Sequence, residues 1–232
     1  MSDFFAEREW MGLSDVIETD TEFIPLISPE DEDRMNLEEV PDKLPILPLR
    51  NNVLFPGVVI PITLGRDKSI KLIQDAYKGN KIIGVVSQID SNIEEPQYAD
   101  LFKIGTVAQI IRMLKMPDGS STIIIQGKKR LKLVEELSND PYLVAKIEEF
   151  EEKRLKKMSK ESLALFDSLK DLALNIIKNS PNIPSEAAFA IKNIESPNFL
   201  VNFISSHMNA EVDQKQKMLE EPDIHNRAQL LM

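Results

Sequence analysis

The chain has 232 residues, 42% of them apolar, enough for one large domain or two small ones. It has no cysteine and only two histidines, His207 and His225, which excludes a disulfide framework, thiolate chemistry and a histidine-based metal cluster. No apolar run approaches the roughly 18 residues of a membrane span. The opening MSDFFAEREW has neither the basic start nor the apolar core of a signal peptide, so a cytoplasmic protein with no membrane contact is expected.

The net charge of −10 is unevenly placed. Residues 1–43 hold 14 Asp and Glu against 3 Lys and Arg, which leaves residues 44–232 with 24 acids and 25 bases. The near-neutral body has no general attraction for nucleic acid. The acidic stretch mixes its charges with Phe4, Phe5, Trp10, Phe23, Ile24 and Leu26 in no sustained period, and Pro25, Pro29 and Pro41 interrupt any long helix. A disordered arm is expected over 1–43.

Leu44 to Arg66, LPILPLRNNVLFPGVVIPITLGR, carries two short extended runs punctuated by prolines at 45, 48, 56 and 61. Proline cannot donate to a ladder, so these strands should be edge-like, bulged or bent. Arg50-Asn51-Asn52 reads as a turn, and Phe55-Pro56-Gly57 sets a large apolar side chain beside a rigid kink. In Asp67 to Lys78, Ile70, Ile73 and Tyr77 recur at helical spacing, with Gly79 as a stop. Ile82-Ile83-Gly84-Val85-Val86 reads as a buried strand, and Thr106 to Met116 as a longer one. Pro117-Asp118-Gly119 then signals a hairpin into Thr122-Ile123-Ile124-Ile125. Leu131/Leu133 and Leu143/Ala145/Ile147 alternate as half-buried strands should. Residues 44–150 therefore form a β-rich unit.

A charged linker is expected over 151–160, and residues 161–232 are helical in pattern. Leu165, Leu169, Leu172 and Ile176 form one stripe. Ala187, Ile191 and Ile194 mark the next helix, after Pro181 and Pro184. Ser196-Pro197 is a helix start, with Phe199, Leu200, Phe203 and Ile204 facing inward. A fourth helix covers about 211 to 220. The last pattern, Ile224, Ala228 and Leu231, has no stop signal, so this helix is expected to continue into another part of a larger protein.

Several of these motifs occur together in one family. Leu44–Arg66, Phe102-Lys103-Ile104-Gly105-Thr106-Val107-Ala108-Gln109-Ile110, Met116-Pro117-Asp118-Gly119, Gln126-Gly127-Lys128-Lys129-Arg130-Leu131, Leu200 to His207 and Gln214 to Glu220 resemble, in order, the N-terminal domain of Lon, the ATP-dependent serine protease. The resemblance implies an α+β fold: a PUA-like β-rich pseudo-barrel followed by an α-helical bundle. It also implies recognition of unfolded or misfolded protein substrates and assembly with other copies as a hexamer. The candidate substrate-binding patch is Leu54, Phe55, Pro56 and Val59. The competing expectation for Phe55 is that it plugs the β core, as most phenylalanines do.

No enzymatic chemistry is expected of this stretch itself. There is no G-x-x-x-x-G-K-[ST] loop and no G-x-S-x-G elbow; the resemblance implies that ATP and Mg²⁺ act in a motor domain outside this sequence. No catalytic, cofactor-binding or metal-binding residue is assigned. Ser159-Lys160 reads as a helix start, and Glu148/Glu149/Glu151/Glu152 as solvated surface without a calcium-type loop. Lys128-Lys129-Arg130-Lys132 and Lys153-Arg154-Lys156-Lys157 are basic clusters without an aromatic residue to stack a base. His207 reads as a packed or half-exposed side chain, and Met113, Met116 and Met158 as adaptable packing. The alternatives to a Lon substrate-recognition domain are a free-standing adaptor of the same type and, further off, a PUA-like RNA-binding module.

Overall fold

The computed structural model describes residues 27–115, 121–153, 159–179 and 185–232. Its first half is a six-stranded mixed sheet: β1 (Lys43–Leu49), β2 (Val59–Leu64), β3 (Ile82–Ser87), β4 (Ile104–Lys115), β5 (Ser121–Ser138) and β6 (Val144–Glu149), in the order β2-β5-β4-β3-β1-β6. β5 also pairs with β6, so five strands close on themselves and β2 lies outside the ring, on β5 alone. Seven helices accompany the sheet among the described residues. They are α1 (Pro29–Leu37), α2 (Asp67–Lys78), α3 (Lys160–Asn179), α4 (Ser185–Asn193), α5 (Pro197–His207), α6 (Val212–Glu220) and α7 (Ile224–Leu230). The α+β expectation holds.

Two prolines sit in β1, yet β1 is not an edge strand. Its ladder to β6 covers Lys43–Pro45, and its parallel ladder to β3 covers Ile46–Leu49. The pairing changes sides along the strand, so each proline needs only one of its two flanks free of donor demand. β5 achieves closure by bending. Register shifts interrupt its pairing with β4 near Ala108 and Ile110 and with β6 near Leu133 and Glu136. Each shift adds local twist to a strand, and over 18 residues this turns β5 from β2 and β4 towards β6. The sequence suggested two separate strands here. They are one, and Gly127 lies at the join.

The ring encloses Leu44, Ile46, Val86, Val107, Leu131, Leu133, Ala145 and Ile147 in one apolar cluster. Gly84 is required there, because a Cβ would sit 2.5 Å from Ile46 Cδ1. A second cluster is larger and crosses both halves of the chain. Leu47, Leu49, Ile83, Val85, Ile123 and Ile125 of the sheet pack with Ala190, Ile191, Phe199, Leu200, Phe203 and Leu219 of the helices. The β-rich and helical segments thus share a core.

The helical starts follow local chemistry. Ser196 caps α5 by accepting from the Phe199 N–H at 3.1 Å, with Pro197 in the first turn. Glu211 and Gln214 form a capping box on α6, and Asp223 caps α7 through the His225 N–H at 2.9 Å. The arm expected over 1–43 is helical over α1: Ser28 accepts from the Asp31 N–H at 3.1 Å. Pro29, read as a breaker, occupies the first helical turn, where its missing N–H costs nothing. The 117–119 turn and residues 154–158 of the linker lie outside the described residues, as does the arm before Ile27.

Candidate protein-binding site at the lobe junction

Leu54 and Phe55 are not on the surface. They are 2% and 0% exposed, whereas Pro56 and Val59 are half-buried. The expectation of an exposed patch is corrected for the first two: Phe55 plugs the core. The reason lies in the backbone around it. Gly57, with φ of +82°, donates to the Gly127 carbonyl at 2.9 Å, and the Gly127 N–H returns a bond to the Val58 carbonyl at 2.9 Å. Thr106 Oγ1 donates to the Leu54 carbonyl at 2.6 Å, and Asn202 Nδ2 to the Pro56 carbonyl at 3.1 Å. A Cβ at position 127 would collide with the Phe55 carbonyl oxygen. Glycine within a strand is a sign of close backbone approach, and Gly127 is the signal that could have placed Phe55 inside.

The basic run on β5 is only partly a solvated face: Lys132 is exposed and Lys128 half-buried. Lys129 is 8% exposed and Arg130 1%. Lys128 meets Glu38 at 3.3 Å, Lys129 meets Glu149 at 3.2 Å, and Arg130 Nε lies 3.0 Å from Glu152 Oε1. Arg130 Nη1 also donates to the Glu221 carbonyl at 2.8 Å, at the end of α6. Burial lowers the Arg130 pKa from its usual value, while Glu152 and Glu221 act in the opposite sense. Arg227 on α7 approaches the other oxygen of Glu152 at 3.9 Å and donates to Asn202 Oδ1 at 2.9 Å. Gln216 of α6 donates to the Ile104 carbonyl of β4 at 2.9 Å. One carboxylate therefore faces two buried guanidiniums at the seam between the sheet and the helices.

Beside this seam lies a cleft of about 550 Å³, its open mouth included. Pro56 and Gly57, Phe150, and Phe199 line it from the body, while Ile27 and Met35 line it from the α1 segment. Ile27 and Met35 are buried at 6% and 7%. Glu30 and Asp33 of the same segment are exposed. Ser196 Oγ, besides capping α5, donates to Glu32 of α1.

Elsewhere the surface carries apolar side chains on the paired helices α3 and α4: Leu163, Leu172 and Ile176, and Phe189 at 64% exposure. The Glu148–Glu152 acids do not converge, since Glu149 and Glu152 point to different cations. Among the described residues no three His, Asp or Glu side chains are grouped to hold a metal ion. His207 ends α5 with its ring 4.3 Å from that of Phe203, and Nδ1 lies 2.8 Å from the Phe203 carbonyl. No described helix is long and apolar enough to cross a membrane.

The closed sheet with its appended helices is the fold of Lon N-terminal domains. The structure matches the N-terminal domain of the Mycobacterium avium complex Lon protease with a TM-score of 0.67, at 19% identity, over 82% of this chain and 95% of that one. It matches the Lon N-terminal domain protein of Xanthomonas campestris at 0.59 and 18% identity, over 82% and 96%. Residues 43–232 match the family of ATP-dependent protease La (LON) substrate-binding domains, and the chain belongs to that family. It is 59% identical over 211 residues to the Lon protease of Flavobacterium johnsoniae and 51% identical over 211 residues to that of Cytophaga hutchinsonii. Each alignment covers 91% of this chain and 26% of the relative, so the chain spans about a quarter of the length of the curated relatives it matches.

Proposed function

We infer that this chain is the part of an ATP-dependent Lon protease that engages protein substrates and delivers them to the motor and protease domains. The observation that carries the reading is the family match over 43–232, together with 59% identity to a Lon protease of which the chain spans only 26%. The substrates are unfolded or misfolded proteins, the full-length protein works as a hexamer in the cytoplasm, and ATP with Mg²⁺ acts in the motor. Capture by one copy is weak. Burying about three apolar side chains gains roughly 5–8 kcal/mol, association costs at least about 4 kcal/mol, and an affinity no better than about millimolar remains. Six linked copies raise it by avidity. An RNA-binding reading gains no support from β5, whose Lys129 and Arg130 are buried against acids.

The test is binding of a permanently unfolded protein, such as reduced and carboxymethylated lactalbumin, with its native form as the control. The chain immobilised at high density, to mimic linked copies, should retain the unfolded form alone. Equal retention of both forms, or of neither, would reject the reading.

A further inference from the structure

The segment from Ile27 to Glu38 lies on the body much as a bound peptide would. It inserts two apolar side chains, Ile27 and Met35, eight residues apart, and leaves most of its acids in water. A nine-residue helix is marginal on its own, so its order derives from what it touches. Polar contacts clip its middle and its C-terminal end: Ser196 donates to Glu32, and Lys128 meets Glu38 at 3.3 Å. Ile27 packs on the turn at Gly57 and on Phe199. A Cβ added to Gly57 would meet Phe199 Cδ2 at 2.8 Å and Ile27 Cδ1 at 3.1 Å.

The segment also stands apart from the family domain. That domain begins at residue 43 and covers 190 residues. The 211 residues aligned with the Flavobacterium johnsoniae protein exceed it, so that likeness extends into the residues before 43. An N-terminal addition thus lies over a cleft whose other walls belong to the domain itself.

We propose that the surface beneath this segment, formed by Pro56, Gly57, Phe150 and Phe199, is a peptide-docking groove and that Ile27–Glu38 covers it as an internal competitor. The groove takes substrate segments of the same chemistry: two apolar anchors about two helical turns apart, with an acid between them to meet Ser196 and another just beyond the second anchor to meet Lys128. This rests on the substrate-binding reading above. Pro56, singled out from the sequence, keeps a role as part of the groove wall, whereas Leu54 and Phe55 hold the floor in place from inside.

The test uses the full chain and two probes, the unfolded lactalbumin and a fluorescent peptide with the sequence of residues 27–38. Ile27→Ser with Met35→Ser should free the groove. The peptide should then bind at least tenfold more tightly than to the unsubstituted chain, with the thermal midpoint of the body kept. In the unsubstituted chain, saturating unfolded protein should speed amide exchange in 31–37 severalfold while leaving β4 and β5 unchanged. This second measurement decides the matter if the double variant does not fold. Retained lactalbumin with unaltered exchange in 31–37 overturns the groove and leaves the substrate-binding reading standing. Loss of capture on Ile176→Ser with Phe189→Ser, again with unaltered exchange, moves capture to α3 and α4 and has the same effect. Lactalbumin that binds neither the unsubstituted chain nor the double variant defeats both.

Discussion

Phe55 shows how one side chain can suit two opposite readings. Its neighbours Pro56 and Gly57 make a kink that resembles a displayed loop, yet four hydrogen bonds draw the segment down onto β4, β5 and α5. Phe55→Ser should therefore act on folding, not on recognition. Replacing a fully buried phenylalanine by a small side chain costs about 3–5 kcal/mol, and the added hydroxyl finds no water at 0% exposure. Urea denaturation should show that loss in full. A folded Phe55→Ser variant of unchanged stability with impaired capture would restore the surface reading. Arg130 teaches the same lesson for charge. Four basic residues within five positions look solvated in a sequence, and only the three-dimensional partners Glu152 and Glu221 reveal that the third is sealed into a seam.

At the scale of elements, local chemistry carries most of the helical half. Ser196-Pro197 suffices to place the start of α5, and the 3–4 spacing of Ile70, Ile73 and Tyr77 places α2, because caps and apolar stripes are short-range signals. β5 is less legible. Its two alternating runs are continuous only because the ring bends at Gly127, and closure is a property of several strands together. α1 is missed for a different reason: its acids outnumber its anchors, and its order derives from the cleft it covers. Ser196 links these elements, since it caps α5 and donates to Glu32. Ser196→Ala should cost about 1 kcal/mol through the lost cap and should also loosen α1. Hydrogen exchange checks both. Faster exchange confined to the first turn of α5, with 31–37 unaffected, would separate the two roles.

For the whole molecule the shared core matters more than the two segments. The cluster joining Leu47 and Ile125 to Phe199 and Leu219 is larger than the one the ring encloses by itself, so most of the buried apolar surface is common to both halves. Sheet and helices should therefore unfold together. Far-ultraviolet circular dichroism, reporting mainly helix, and tyrosine fluorescence from Tyr77, Tyr98 and Tyr142 in the sheet half should give one coincident urea transition. Two midpoints would mean that the lobes are independent.

β2 is bonded to β5 alone and stands outside the closed ring. Its outer rim is thus a template on which the same strand of another molecule could stack in a crowded cell, and repetition of that contact would build an insoluble fibre. Pro61, at the middle of β2 opposite Ile124, removes a donor from the strand and blunts that rim. The residue that looks like a fault in the strand is a safeguard of colloidal behaviour. Pro61→Val should leave the monomer folded and shorten its time to turbidity on gentle heating.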